Sequence, residues 1–597
     1  MTPDIDKLLS DAPRTGKYLP KVEVDEDLWR VHHLPRRVWQ DDPDLPELRD
    51  LLTEHLRTPA GTMRLNAAQA QFLRDVYQQR GALVPCLPGS GKTLMSALQA
   101  SVLKTSNNMI VVPGSLKAKT KSELREYARH WQIPPTTILS YEQISQERRE
   151  PDEPSIVQRY LPRSIFCDEA TACSNTKNAC WKAISRYVRA MRKSGHEVVI
   201  SFGDGTFADN SIRQYWHLVR LALGDGAPVP HDYGAMQSWC GAIDVAPMER
   251  CGVGALMHLG RVLDDEQDLP ERRQARRIYQ RRLTQTPGVV ATDANAIPTM
   301  PLTISARHGV LPDAIKAMQA EMRETKLTPG GDRIWFATDM WRHQQTMALG
   351  LYEVWDPPAP RDWMGARLEH KQGVAKVLAH SHTLDKPSDV IRGIKAGRLP
   401  TLEQAYDRWS KIEPTFVPNP VPVWVDDTPL REAAEWLYAH PDVGLVWIAH
   451  TSAGQRLADI SGFNFFGAKA CDARGIRVDT TTRSAIVSLP ACWRGLNLQR
   501  WNQNLYLSIP STARRWEQSL ARTHREGQKR PVSAELWIAC PEHEQSIASA
   551  FARARYVHDT FDQPQKLLYA KNLLPETLMS QVELLTDTDE DEDEQSW

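Results

Sequence analysis

Cys86-Leu87-Pro88-Gly89-Ser90-Gly91-Lys92-Thr93 follows an apolar run, Ala82 to Leu87, and precedes a helix-compatible stretch, Leu94 to Val102. The spacing predicts a glycine-rich turn that leads a strand into a helix. In such a turn the backbone N–H groups point inward onto phosphate oxygens, and the helix N-terminus adds its positive end. Pro88, Gly89, Ser90 and Gly91 then form the cradle, Lys92 reaches the β and γ phosphates of a nucleotide, and Thr93 holds Mg²⁺. The first position departs from a strict phosphate loop, because Cys86 stands where glycine is expected.

The same alternation of apolar run, turn and helical stretch continues on both sides of this loop. Further short apolar runs occur at Met109 to Val112, Thr137 to Leu139, Ile165 to Cys167 and Val198 to Ile200. With Ala82 to Leu87 these five predict a parallel α/β sheet. A second set, Gly444 to Ala449, Ala485 to Leu489, Leu505 to Ile509 and Ala534 to Ile538, predicts another. The expected architecture is α/β, with two RecA-like parallel-sheet lobes and helical insertions between them. We divide the chain into a leader (1–60), a first lobe (61–223), a helical insertion or protrusion (224–299), a helical start of the second lobe with a linker (300–422), the second lobe (423–570) and an acidic tail (571–597). The prolines at 414, 418, 420 and 422 suggest a boundary, since repeated proline opposes both helix and sheet pairing.

Bulk properties agree with an intracellular two-lobed protein. A chain of 597 residues holds several cores, and 41% hydrophobic with 25% charged residues is an ordinary globular balance. Nine cysteines occur singly, with no C-x-x-C pair and no zinc-ligand spacing, so structural zinc and a disulfide frame are not expected. No apolar run reaches membrane-spanning length, and we expect a cytoplasmic location with no membrane partner. The formal charge is −1, but Asp587, Asp589, Glu590, Asp591, Glu592, Asp593 and Glu594 crowd the end of the chain, so the remainder is net positive. That excess suits phosphate contacts. The acidic tail reads as disordered, with a protein partner as one use for it.

Asp168 and Glu169 follow the run Ile165 to Cys167, which puts both carboxylates at the C-terminal end of a strand, where parallel sheets bind ligands. Asp168 is the candidate Mg²⁺ ligand and Glu169 the group that orients or deprotonates an attacking water. Leu65 and Gln69 lie upstream of the loop, and the amide of Gln69 matches the donor and acceptor edge of adenine. In the second set, Gln518, Arg522 and Arg525 fall in one segment. The two arginines, three apart, are expected on one helix face, presented to the γ-phosphate held by the other lobe.

Taken together these residues resemble the SWI/SNF-type branch of superfamily 2 helicases and translocases. Ser115-Leu116 with Glu123 resembles the Pro-x-Ser-Leu segment, and Ser140-Tyr141-Glu142 the Thr-Ser-Tyr-Glu element. Asp168-Glu169-Ala170 with Asn175 resembles the DEAH-type box, with Thr171 in place of histidine. Gly205-Thr206 with Asn210 and Trp216 resembles the next motif, with Phe207 in place of proline. Gly495-Leu496-Asn497-Leu498 matches the end of the fifth motif, whose glycine-rich start is here Ala491-Cys492-Trp493-Arg494. Gln518 to Gln528 is the closest match, similar to Gln-x-x-x-Arg-x-His-Arg-x-Gly-Gln. The small residue at the start of the phosphate loop also agrees with superfamily 2. The resemblance spans about Leu65 to Ile538. It implies ATP and Mg²⁺ as cofactors, nucleic acid, duplex DNA above all, as partner, and Ser115, Ser140, Thr206 and Asn497 as contacts to nucleic-acid backbone. The function expected is a nucleic-acid-stimulated ATPase that moves on duplex DNA. An ATP-gated DNA clamp with impaired stepping and an RNA-directed helicase are the alternatives.

Overall fold

The computed structural model describes residues 22–587, apart from 88, 106, 147–152, 246, 248, 292–297 and 381–386. Five strands, β1 (Gly81–Pro85), β2 (Asn108–Val112), β3 (Thr136–Ser140), β4 (Ser164–Asp168) and β5 (Val199–Asp204), form an all-parallel sheet in the order β1-β5-β4-β2-β3. These are the five runs expected from the sequence, with ends moved by a few residues. Alternate side chains enter different cores: Leu83, Ile165 and Ile200 pack on one face, and Ala82, Val84, Phe166 and Val199 on the other. A sheet covered on both faces needs this continuous apolar character.

Nine more strands follow: β6 (Leu302–His308), β7 (Leu351–Trp355), β8 (Pro420–Trp424), β9 (Gly444–Ile448), β10 (Phe465–Phe466), β11 (Ala485–Ser488), β12 (Gln503–Tyr506), β13 (Val532–Ile538) and β14 (Lys571–Leu573). Seven of them form a second parallel sheet, β10-β11-β9-β12-β13-β6-β14, and β7 with β8 forms an antiparallel ribbon. Leu445 and Trp447 face one core and Val446 and Ile448 the other. The chain is therefore an α/β protein with two parallel-sheet lobes and helical insertions. Among the described residues no helix is long and apolar enough to cross a membrane.

Several segments differ from expectation. The stretch 300–422, read as helical, supplies β6 to the second sheet and carries the β7–β8 ribbon. Pro420 and Pro422 lie inside β8 instead of interrupting it; a two-stranded ribbon has only edges, and proline is tolerated there. The segment 571–597 is not a tail throughout, since β14 pairs with β6 and a helix spans Glu576–Asp587. The acidic run beyond 587 lies outside the described residues. The leader folds onto the first lobe: Arg37 pairs with the buried Asp75, and Arg30 donates to the carbonyls of Asp225, Ala227 and Val229.

The segment 224–299 does not protrude. Met236, Trp239, Ile243, Leu256, Ile278 and Leu283 join the core that covers the first sheet. Its helix Glu271–Thr284 carries six arginines, all engaged by the protein itself. Arg272 and Arg276 donate to the carbonyls of Gly241 and Asp244, Arg282 to those of Leu34 and Pro35, and Arg281 to that of Arg261. Arg273 and Arg277 pair with Asp559.

Asp559 belongs to the helix Pro541–Phe561, which belongs to both lobes. Ile547, Ala550, Phe551 and Ala554 pack in the second lobe, while Tyr556, Val557 and Phe561 pack in the first. Phe561 meets Tyr215 with ring centroids 5.0 Å apart, and the Tyr556 hydroxyl donates to Asp244 at 3.1 Å. Phe207, the residue that replaces proline, also lies against Phe561.

Candidate nucleotide site between the lobes

Gly89 and Gly91 adopt φ of 98° and 83°, a region open to glycine at no steric cost. Helix Lys92–Val102 starts directly after Gly91. Cys86 is fully buried, its thiol on the Val290 carbonyl at 3.3 Å, which shows why a side chain fits at the first position: it points away from the loop. Lys92 donates to the carbonyls of Cys86 (2.6 Å) and Leu87 (3.1 Å), and Thr93 is half-buried beside it. Gln69 lies against the loop, and its amide occupies the space that a Cβ on Gly91 would need. It also completes a capping box with Asn66, whose side chain donates to the Ser90 carbonyl. Leu65 is buried in the apolar core beneath. Pro88 lies outside the described residues.

Asp168 ends β4 and Glu169 follows in the left-handed region, φ 52° and ψ 51°. A non-glycine residue held there carries local strain, which is common where a side chain must be aimed. Burial first, and then the neighbouring Glu169 carboxylate, push Asp168 up to about 7, while Lys92 pulls it down. Thr171, at the histidine position, has a clear task. Its N–H and hydroxyl both donate to Asp204 at 2.9 and 2.8 Å, and the Thr206 N–H donates to the other Asp204 oxygen. Asp204 ends β5 and is fully buried, so the Asp-Glu box and the following motif are joined through one carboxylate.

The second lobe closes on this edge through the helix Ala513–Thr523. The Gln518 amide donates to Glu169 at 3.2 Å and accepts from Arg494 at 3.2 Å. Arg514 approaches Glu169 at 3.8 Å and Asp204 at 3.9 Å. Its Nε and Nη2 are buried without hydrogen-bond partners. Arg494, Arg514 and Arg515 all lie over the Trp493 ring, at 4.1, 5.9 and 5.9 Å from its centroid, so the departure at Ala491 to Arg494 replaces a glycine-rich turn with an aromatic platform for cations. Arg522 donates to the carbonyls of Gln518 and Leu496, and burial draws it down to about 10 while Glu169 opposes that shift.

Arg525 is not on the helix face of Arg522. The helix ends at Thr523, His524 turns into extended backbone (ψ 91°), and its ring bonds the Met300 carbonyl at 2.7 Å. Arg525 therefore sits in the following turn, closed by Gly527 at φ 88°. The residues aligned on one face are Arg514, Gln518 and Arg522, each four apart. Arg514, Arg494 and Asp204 were not singled out in the sequence, although the four-residue spacing of Arg514 before Gln518 carried the signal.

The four residues expected to face nucleic-acid backbone divide. Ser115 and Asn497 are exposed. Ser140 and Thr206 are not: Ser140 is buried and its hydroxyl accepts the Gln143 N–H as a helix cap, and Thr206 is 1% exposed in the turn that Asp204 holds. Both are spent on local backbone order, which removes them from a backbone-facing role in this arrangement. Gly495 and Leu116 touch across the lobes, between the two exposed positions.

The residues fit a nucleotide with its metal. A cradle of amides, a lysine, three crowded carboxylates and an unspent guanidinium converge on one edge. Among the described residues no group of three or more His, Cys, Asp or Glu is arranged to hold a metal alone, so Thr93 and Asp168 would hold Mg²⁺ only together with phosphate oxygens. Neither the protein-family models nor the curated proteins contain a match to the chain.

Proposed function

We propose that the chain is an ATP-hydrolysing motor of the superfamily 2 type, resembling the SWI/SNF branch, with duplex DNA as its track. The contact between Glu169 and Gln518 carries the reading: the carboxylate suited to orient a water and an amide from the second lobe meet on the edge that holds the phosphate loop. ATP bound here would supply the phosphoryl group, and Mg²⁺ would neutralise its charge. The loop amides and Lys92 bind phosphate. Glu169 orients the water or takes its proton, while Gln518 fixes the Glu169 carboxylate. Arg514 and Arg522 place positive charge beside the same edge from the other lobe, so closure and hydrolysis depend on each other. Ser115 and Asn497, exposed on opposite lobes, are the candidate contacts to the DNA backbone.

Steady-state ATPase assays on the full chain, with duplex DNA, single-stranded DNA, RNA or no nucleic acid, test this. The expected result is activity that rises sharply with duplex DNA and falls at least ~100-fold in Lys92→Ala and Glu169→Gln. Absence of stimulation by every nucleic acid overturns the motor reading, and equal or better stimulation by RNA moves the track to RNA.

One observation favours a second reading, the ATP-gated clamp. The helix Pro541–Phe561 packs in the cores of both lobes, which limits the lobe movement that stepping requires. Triplex displacement separates the two, because a clamp binds DNA in an ATP-dependent way and displaces nothing.

A further inference from the structure

Cys173 and Cys180 place their sulfurs 3.8 Å apart. Cys173 ends the short 3-10 turn Ala170–Cys173, which begins directly after Glu169, and Cys180 is the second residue of the 15-residue helix Ala179–Lys193. A cavity of about 220 Å³ opens at that end of the helix, lined by Ser145, Ala179, Lys182, Arg186 and Tyr187 among others. Ser145 hydrogen-bonds Cys180, which connects the cavity to the thiol. The cavity's two cations and the free amides of a helix N-terminus favour a thiolate over a thiol.

The two thiols are unlike. The hydrogen bond from Cys173 holds Cys180 down, to about 7, against the opposing effect of burial, with Ser145 and the helix amides adding to it. The same contact, together with burial, pushes Cys173 well up. One sulfur is set to attack and its neighbour to resolve.

We propose that Cys173 and Cys180 form an oxidant-sensitive pair that closes to an intramolecular disulfide beside Asp168 and Glu169. The oxidant class is a small peroxide able to enter the cavity. The Cys180 thiolate attacks a peroxide oxygen: an S–O bond forms, the O–O bond breaks, and the leaving hydroxide takes a proton to become water. The Cys173 sulfur then attacks the Cys180 sulfenic acid: the S–S bond forms, the S–O bond breaks, and the departing oxygen leaves as a second water with the proton of Cys173. Two thiols lose two electrons and the peroxide gains them. A disulfide needs sulfurs about 2.05 Å apart, so the turn Ala170–Cys173 is drawn toward the helix. That turn carries Thr171, which holds Asp204, and it directly follows Glu169. The expected effect on hydrolysis rests on the proposed function, whereas the disulfide itself does not.

The experiment treats the full chain with graded hydrogen peroxide and analyses non-reduced tryptic peptides by mass spectrometry. The expected product is the peptide Ser164–Lys177 joined to Asn178–Lys182, lost on reduction, retained in Cys167→Ser, and at least about tenfold weaker in Cys173→Ser and in Cys180→Ser. Oxidation of Cys180 to sulfinic acid without the joined peptide overturns the proposal, as does a joined peptide that persists in Cys173→Ser. ATPase activity is read on the same samples. It should fall on oxidation, recover on reduction, and resist peroxide in Cys173→Ser. A chain with no ATPase in any sample removes the motor reading, while the peptide result still decides the disulfide.

Discussion

Arg514 shows how a single side chain can reveal the work of a cleft. A buried guanidinium whose N–H groups find no acceptor costs free energy, and it persists where a ligand completes it. Its nearest partners, the Glu169 and Asp204 carboxylates, stay beyond hydrogen-bond distance, and a terminal phosphate would supply the missing acceptors. Arg514→Ala is expected to lower kcat for ATP by roughly 10²–10³-fold with ADP affinity unchanged. Arg514→Lys should recover little of the loss, because an ammonium lacks the planar fork. Equal kcat in parent and alanine variant would refute the assignment. Asp168 gives a second test at this scale. Its folded carboxyl titrates near 7, above the ordinary carboxylate range, so the folded state binds the extra proton and stability falls as pH rises through that window. Asp168→Asn carries no such charge. It should melt above the parent at about pH 8, with the gap closing by about pH 5. Much of this site was legible in the sequence, since a glycine-rich loop and an Asp-Glu pair are local patterns. The aim of Arg514 and the burial of Ser140 and Thr206 were not, because both depend on which backbone atoms the fold brings near.

Among the elements, the helices of the interface carry the least expected lesson. The six arginines of Glu271–Thr284 look like a nucleic-acid face in composition, yet they bind carbonyls and carboxylates of their own chain. Asp559 receives two of them and is 0% exposed. Asp559→Arg places three cations together at that contact, and the first-lobe end of helix Pro541–Phe561 should detach. Small-angle scattering should then give a larger radius of gyration than the parent, with basal ATPase altered. An unchanged radius would show that apolar packing around Phe561 alone holds the lobes. The elements that sequence reading missed share a physical cause. β10 and β14 have two and three residues, too few to show a period, and β6 alternates only weakly because its side chains from Ser305 to Arg307 are half-buried. Prolines within β8 read as a break because their harmlessness at a ribbon edge depends on the partner strand.

For the whole molecule, the two-lobed plan was legible because each sheet is built from long apolar runs at α/β spacing. The way the lobes are joined was not, since it is written in contacts hundreds of residues apart. The crossing helix is the consequential feature. Its two halves fill different cores, so neither lobe buries its apolar surface alone, and a boundary drawn on the sequence between them does not mark an independent folding unit. If the chain is cut at the exposed Val417, one fragment keeps the first sheet with β6 and β7, and the other keeps β8 to β14 and the crossing helix. Each should aggregate when produced singly. Produced together they should reconstitute, because β6 against β13, β7 against β8 and Phe561 against Tyr215 supply three separate points of recognition. The protein is thus a natural candidate for fragment complementation, with its assembly readable as recovered solubility.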